Sequence, residues 1–325
     1  MFINREYSLE YFQEDIFSEK YILVISNIDD RRSQALLKNF SNVRYINIDY
    51  NVQKSSNGIL VDSFKTKTNF NSPLNNKEFS SLYQDLNEFV NLIHEESQHV
   101  IIDISAIHLR FLGAFLANLD SYKWESIICT YTESSAYPRT NENNPIDTEK
   151  HRCVSGFDLN SSFLGFDEIP NLKTITRERE NYIWVAFLGF EGKRSAAVYT
   201  EISDDSSLTI PVITMPSVKS GWANYAFDAN QRLFENARLS CNDIQYVDAL
   251  NPFSTYNFIE KIASTHNNRH LVISPLGTRP VSLGVLLYAL KNETCEIYFD
   301  TPKDSCSKIV DCGKIHVYDI LSFYE

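Results

Sequence analysis

The sequence predicts an α/β protein of two Rossmann-like halves, each a mainly parallel sheet covered by helices. Three observations predict it. Two short runs, Tyr21–Ser26 (YILVIS) and Tyr182–Phe190 (YIWVAFLGF), are apolar on both faces, as buried parallel strands are. The same ordered set of segments recurs in each half. Strand patterns alternate with helical ones, which implies right-handed crossovers and a covered parallel sheet.

The recurrence is specific in its order. Each apolar run is followed by a polar turn and Arg-Ser-x-Ala, at Arg32, Ser33 and Ala35 in one half and Arg194, Ser195 and Ala197 in the other. The segments His99–Leu119 and His270–Leu290 then align without a gap over 21 residues with six identities, among them Ile102 with Ile273, Gly113 with Gly284 and Leu119 with Leu290. The spacing from the first run to the second is 78 residues in one half and 88 in the other. Strand patterns follow at Ile127 (IICTY) and Glu296 (EIYFD). Generic strand–helix units resemble one another too, but one order kept at similar spacing points to internal duplication. The expected halves are 1–150 and 151–325.

Taken in order, the chain opens with an acidic, aromatic tail from Phe2 to Phe17, and Tyr21–Ser26 is the first strand. Asn51–Asn75 is polar and reads as an exposed loop or short hairpin. Asn76–Glu96 has apolar residues at Phe79, Leu82, Leu86, Phe89, Val90 and Ile93, the spacing of an amphipathic helix. Ser134–Arg179, polar and with Pro138, Pro145 and Pro170, reads as the connection, with a small folded piece near VSGFDLNSSFLGF. In the second half LTIPVIT is strand-like, Met215–Phe227 is irregular, and Thr255–Ser264 is helical. The closing segments IYFDTP and KIHVYDILSFYE read as strands that complete the second sheet. In them Tyr298 and Tyr318 could stack on a base, though packing explains them as well.

Composition bounds the function. A chain of 325 residues, 43% apolar and 22% charged, can bury sizeable cores without metals or disulfides. A net charge of −12 argues against an extended face for duplex DNA, though not against a local anion pocket. The six cysteines show no C-x-x-C spacing and no zinc pattern, which fits free thiols in a reducing cytoplasm. The first residues lack a signal-peptide pattern, and no apolar run is long enough to span a membrane. A cytoplasmic protein with no membrane partner, metal or cofactor is expected.

In an open parallel sheet, ligands bind beyond the carboxyl ends of the strands. Four such loops carry candidates. In LGFEGKRSAA, Gly189 and Gly192 permit close backbone approach, and Glu191, Lys193 and Arg194 gather charge where a helix opens. It is neither a Walker loop nor GxGxxG, and a tight turn with solvated charges is the plainer alternative. In ISPLGTRPVSLG, Ser274, Gly277, Thr278 and Arg279 combine hydroxyls, glycine and a planar cation at a strand-to-helix turn, with Pro280 suited to the helix start. This suits a phosphate, though a well-formed helix start needs nothing more. In DISAIHLR, Asp103, Ser105, His108 and Arg110 are secondary candidates, and Asp103 equally serves as a structural acceptor. In NIDDRRSQ, Asp29 and Asp30 either hold a metal or neutralise Arg31 and Arg32.

The segment Ile273–Asp300 resembles the strand, Gly-Thr-Lys turn, helix and strand of CARF domains, the Rossmann-like sensors of CRISPR-linked antiviral defence. Here the turn is Leu276-Gly277-Thr278-Arg279, and the earlier copy has Ser105, Ala106 and Ile107. The resemblance implies that Gly277, Thr278 and Arg279 contact a cyclic oligoadenylate, that two such folds pair, and that a prokaryotic defence system is the context. A duplicated chain is then a pseudo-dimer with one intact and one altered site, and pairing of two chains as a homodimer stays open. The leading expectation is a sensor that binds an anionic, nucleotide-like ligand and signals to a partner effector protein in a complex. Two alternatives stand beside it: an enzyme that hydrolyses or transfers a nucleotide or phosphoester, and a protein-binding scaffold docked through the acidic tail. No motif marks a catalytic residue.

Overall fold

The computed structural model describes residues 3–7, 20–39, 42–55, 60–136, 163–167, 169, 172, 181–203, 207–267, 269–293, 295–302 and 311–324. It divides into two units. The first holds the described residues up to Ala136 with Ile169, Leu172 and 311–324, and the second holds the remainder.

The first unit begins with β1 (Ile3–Tyr7), β2 (Tyr21–Ser26), α1 (Arg31–Asn39), β3 (Arg44–Lys54), β4 (Leu60–Thr68) and β5 (Glu78–Phe79). It continues with α2 (Leu82–Glu96), β6 (His99–Asp103), α3 (Leu109–Leu119) and β7 (Ser126–Ala136). The second unit contains β8 (Phe163–Asp167), β9 (Ile183–Leu188), α4 (Gly192–Ile202), β10 (Leu208–Thr214), α5 (Trp222–Ala229) and α6 (Gln231–Asn236). Then come β11 (Gln245–Val247), α7 (Pro252–Thr265), β12 (Leu271–Pro275), α8 (Arg279–Lys291), β13 (Cys295–Ile297) and β14 (Phe299–Pro302). The last strand, β15 (Asp311–Asp319), belongs to the first unit.

The first sheet has the order β1-β15-β7-β6-β2-β3-β4-β5, and its centre, β7-β6-β2-β3, is parallel. The second, β11-β10-β9-β12-β13, is parallel throughout. Numbered along the second unit, that is the Rossmann order 3-2-1-4-5. Both expected central strands are in place: every residue of β2 and of β9 is buried. Large side chains fully buried in this way, such as Ile22, Leu23, Trp184 and Phe187, contribute about 1.5–3 kcal/mol each relative to exposure. The four strands β3-β2-β6-β7 and β10-β9-β12-β13 run in the same order.

The structure corrects several expectations. KIHVYD does not complete the second sheet: β15 pairs antiparallel with β7 and β1 in the first. Its Ile315, Val317 and Tyr318 are buried there, and alternation within a strand cannot reveal which distant strands it pairs with. Of IYFDTP, only β13 extends the second sheet, while β14 pairs with β8 in a separate two-stranded ribbon. Tyr298 and Tyr318 are buried packing residues. Part of the acidic tail, Ile3–Tyr7, is a sheet strand; residues 8–19 lie outside the described residues. The polar stretch after Asn51 completes the β3–β4 hairpin, whose strands begin at Arg44 and end at Thr68.

The helix expected from Asn76 starts at Leu82, where Ser81 caps it by accepting from Gln84 N. Phe79 belongs instead to β5 and stacks on Phe64 at 4.4 Å. The helix expected from Thr255 is α7, capped by Asn251 with Pro252 in its first turn. Among the described residues Cys129, Cys241, Cys295 and Cys312 are free thiols, and no helix is long and apolar enough to cross a membrane. Cys153 and Cys306 lie outside the described residues.

Candidate functional site

In the second sheet, β9 has β10 on one side and β12 on the other. The chain leaves β9 through α4 towards β10, and leaves β12 through α8 towards β13, so the two connections diverge. Right-handed crossovers put α4 and α8 on opposite faces of the sheet. This is a topological switch point, and the loops that flank it are the two glycine turns of the sequence.

The structure brings those turns together. A Cβ on Gly189 would collide with the Leu276 carbonyl oxygen and stand 3.6 Å from Gly277 Cα. Gly192 lets α4 approach the end of α5, because a Cβ there would collide with the Ala229 carbonyl. Asn230, which follows α5 and is almost fully buried, fastens the arrangement. Its amide donates to the carbonyls of Gly189 (2.8 Å) and Ala226 (2.7 Å), and its Oδ1 accepts from the Ser195 hydroxyl (2.5 Å). Four carboxyl-end loops are joined in this way, since Thr278 Oγ1 donates to the Ala249 carbonyl at 2.7 Å and Ala249 N donates to the Pro216 carbonyl at 3.1 Å.

The candidate side chains take different roles. Ser274 is fully buried: its hydroxyl accepts from Trp184 Nε1 at 2.8 Å and donates to the Tyr298 carbonyl at 2.6 Å. It fixes the end of β12 and does not line the crevice. Glu191 and Arg194 form an ion pair at 2.5 Å across the first turn of α4. Lys193 is exposed, and Gly277, Thr278 and Arg279 are half-buried. The N-cap positions of α4 (Glu191) and α8 (Thr278) make no side-chain hydrogen bond to the first turn. Both helix starts therefore keep their partial positive charge beside Lys193, Arg194 and Arg279.

The secondary candidates fall into two groups in the first unit. Asp103 ends β6, fully buried, and its Oδ1 accepts from Ser105 N (3.2 Å) and Oγ (2.6 Å). Its Oδ2 accepts from Ser33 Oγ at 3.5 Å. Burial pushes the Asp103 carboxyl up to about 6, against the hydrogen bonds from Ser105 that lower it. His108 caps α3 by accepting from Arg110 N at 3.3 Å, while the Arg110 guanidinium pairs with Asp62 at 2.8 Å, both side chains buried. Asp30 accepts from the backbone (2.8 Å) and guanidinium (2.9 Å) of Arg32, so it neutralises an arginine. Among the described residues no group of three or more His, Cys, Asp or Glu could hold a metal.

Sequence reasoning missed Asn230, 41 residues from the carbonyl it holds, because nothing local marks it. It also passed over Phe190 and Trp222. Their rings meet edge to face at 5.4 Å beside the Gly189 turn, and the irregular pattern of Met215–Phe227 was the available signal.

No protein-family model and no curated protein matches the chain. The chain is similar to a solved structure described as "crystal structure of an N-terminal ketoreductase from macrolactin assembly line", at 12% identity and a TM-score of 0.23, over 91% of this chain and 72% of that one. The fold defines a class: a Rossmann-like α/β protein of two units, the second with a topological switch point flanked by two glycine turns.

Proposed function

We propose that the protein is a sensor whose second unit binds an anionic, nucleotide-like ligand at the switch point and signals to a partner effector protein. The observation that carries this reading is the contact of the Gly189 turn with the Leu276–Gly277 turn between two uncapped helix starts. Gly189 and Gly277 let the two turns pack against each other and bring the two helix starts to one edge of the sheet. Lys193, Arg194 and Arg279 supply charge-assisted hydrogen bonds, with Glu191 orienting Arg194. Thr278 and Ser274 shape the turn through Ala249 and Tyr298. The antiviral-defence context, a cyclic oligoadenylate as ligand, the descent of both units from one duplicated plan and a cytoplasmic location belong to the same proposal. They rest on the CARF-like segment Ile273–Asp300 and on the shared strand order.

A thermal-shift screen with mononucleotides, cyclic oligoadenylates and sugar phosphates, followed by product analysis, tests it. A ligand at 100 times its Kd stabilises by about 2.7 kcal/mol, which raises the unfolding midpoint by roughly 5–10 °C for a unit of this size. A shift with the ligand intact supports the sensor. Consumption of the ligand replaces it with an enzyme, and no shift replaces it with a protein-binding scaffold.

A further inference from the structure

We infer that Glu191 is a built-in competitor of the ligand: its carboxylate occupies Arg194 in the free protein, and an anionic ligand binds by displacing it. The inference rests on the reading of the site given above and adds its regulation. Glu191 then orients Arg194 only until the ligand arrives.

The first unit shows what a fully bonded counter-ion looks like. Arg32 and Arg194 hold the same place in the repeated Arg-Ser-x-Ala, each in the first turn of the helix that follows a central strand. Arg32 is held by Asp30, two residues earlier. Asp30 Oδ1 accepts from Arg32 N (2.8 Å) and Nε (3.1 Å), and Oδ2 accepts from Nη2 (2.9 Å). Both carboxylate oxygens are used, and one in-chain anion serves the guanidinium and the start of α1 at once. Asp30 is only 2% exposed.

The second unit lacks that arrangement. Gly192 stands two residues before the arginine, and the counter-ion comes instead from Glu191. Its Oε2 accepts from Arg194 Nη1 at 2.5 Å, while its Oε1 is buried and has no hydrogen-bond partner among the described residues. Glu191 is the N-cap residue of α4, yet its side chain makes no bond to the first turn. A buried carboxylate oxygen left without a donor carries a penalty, and turning the side chain out to water removes it. The Glu191 and Arg194 side chains are 15% and 18% exposed, so water is close at hand. An oxyanion that takes the place of Glu191 gains the guanidinium and the uncapped start of α4 together, as Asp30 does at α1.

Calorimetric titrations of the full chain with inorganic tripolyphosphate and with ATP test the inference. They compare the unaltered protein, Glu191→Gln, Arg194→Met and the double variant. Glu201→Gln, exposed at the far end of α4, controls for net charge. We expect Glu191→Gln to bind both probes about 2- to 10-fold more tightly. In the Arg194→Met background the same change should gain much less, because the competition is for that arginine. Glu201→Gln should leave the affinity unchanged. Unchanged or weaker binding by Glu191→Gln overturns the competitor and leaves the site standing, with Glu191 then a binding or neutral residue. An equal gain from Glu201→Gln, or an undiminished gain in the Arg194→Met background, reduces the effect to net charge and also overturns it. Absence of binding of both probes by the unaltered protein and by Glu191→Gln alike overturns the inference and the site together.

Discussion

The backbone of Gly189 lies directly against the carbonyl oxygen of Leu276, so closely that no side chain fits between them. Two loops more than 80 residues apart in sequence thereby meet at the switch point. Asn230 holds this contact from behind by its hydrogen bond to the Gly189 carbonyl.

The two glycines of that contact respond differently to alanine. Gly189→Ala forces the β12–α8 turn away, and overpacking of this kind costs about 1–3 kcal/mol. Gly277→Ala places its Cβ 3.7 Å from the nearest atoms, the carbonyls of Leu188 and Phe187, an ordinary contact. Thermal unfolding should show a midpoint several degrees lower for Gly189→Ala and an unchanged midpoint for Gly277→Ala. Equal losses would contradict the geometry.

Asp103 gives a pH dependence of defined sign. Its carboxyl is raised from 3.8 to about 6 by burial, so the folded protein holds a proton that the unfolded chain has lost. The contribution of this group to stability is therefore intact below about pH 4 and is lost as pH rises towards 6. A shift of about two units costs roughly 3 kcal/mol above that range. Asp103→Asn keeps an acceptor for Ser105 and removes the ionisation. Urea unfolding from pH 4 to pH 7 should show the variant gaining on the unaltered protein by up to that amount. Parallel stability curves would contradict the assignment.

The buried pair of Arg110 and Asp62 joins α3 to the β3–β4 hairpin, and the Tyr50 hydroxyl donates to Asp62 at 2.5 Å. Asp62→Ala removes the carboxylate that pairs with the buried Arg110 guanidinium and accepts from Tyr50, and should cost about 3–5 kcal/mol. The double variant Asp62→Leu with Arg110→Met should recover most of that loss in the same unfolding assay. Additive losses would show that the two residues do not act as a pair.

Much of the fold was legible because burial on both faces writes itself locally: β2, β9, β6 and β12 were all visible as apolar runs. Partnership between distant strands was not. β15 carries an alternation that a strand of either sheet could carry, and only its pairing with β7 and β1 decides the matter. Phe79 looked helical because its spacing to Leu82 and Leu86 fits both α2 and a short strand before Ser81. The two glycine turns of the second unit were legible as strand-end loops, because scarce glycines directly after apolar runs mark close approaches of the backbone. The commitments of the hydroxyls were hidden: Ser274 is satisfied by Trp184, 90 residues away, and Thr278 by a carbonyl 29 residues away.

The most direct test of the switch-point site is a calorimetric titration of the intact protein and of Arg279→Ala with the base-bearing ligand that gives the largest thermal shift, each repeated at two salt concentrations. Arg279→Ala should weaken binding at least tenfold and reduce its salt dependence. Unaltered affinity and salt dependence in Arg279→Ala would mean that the ligand binds elsewhere and that the crevice between β9 and β12 is not its site.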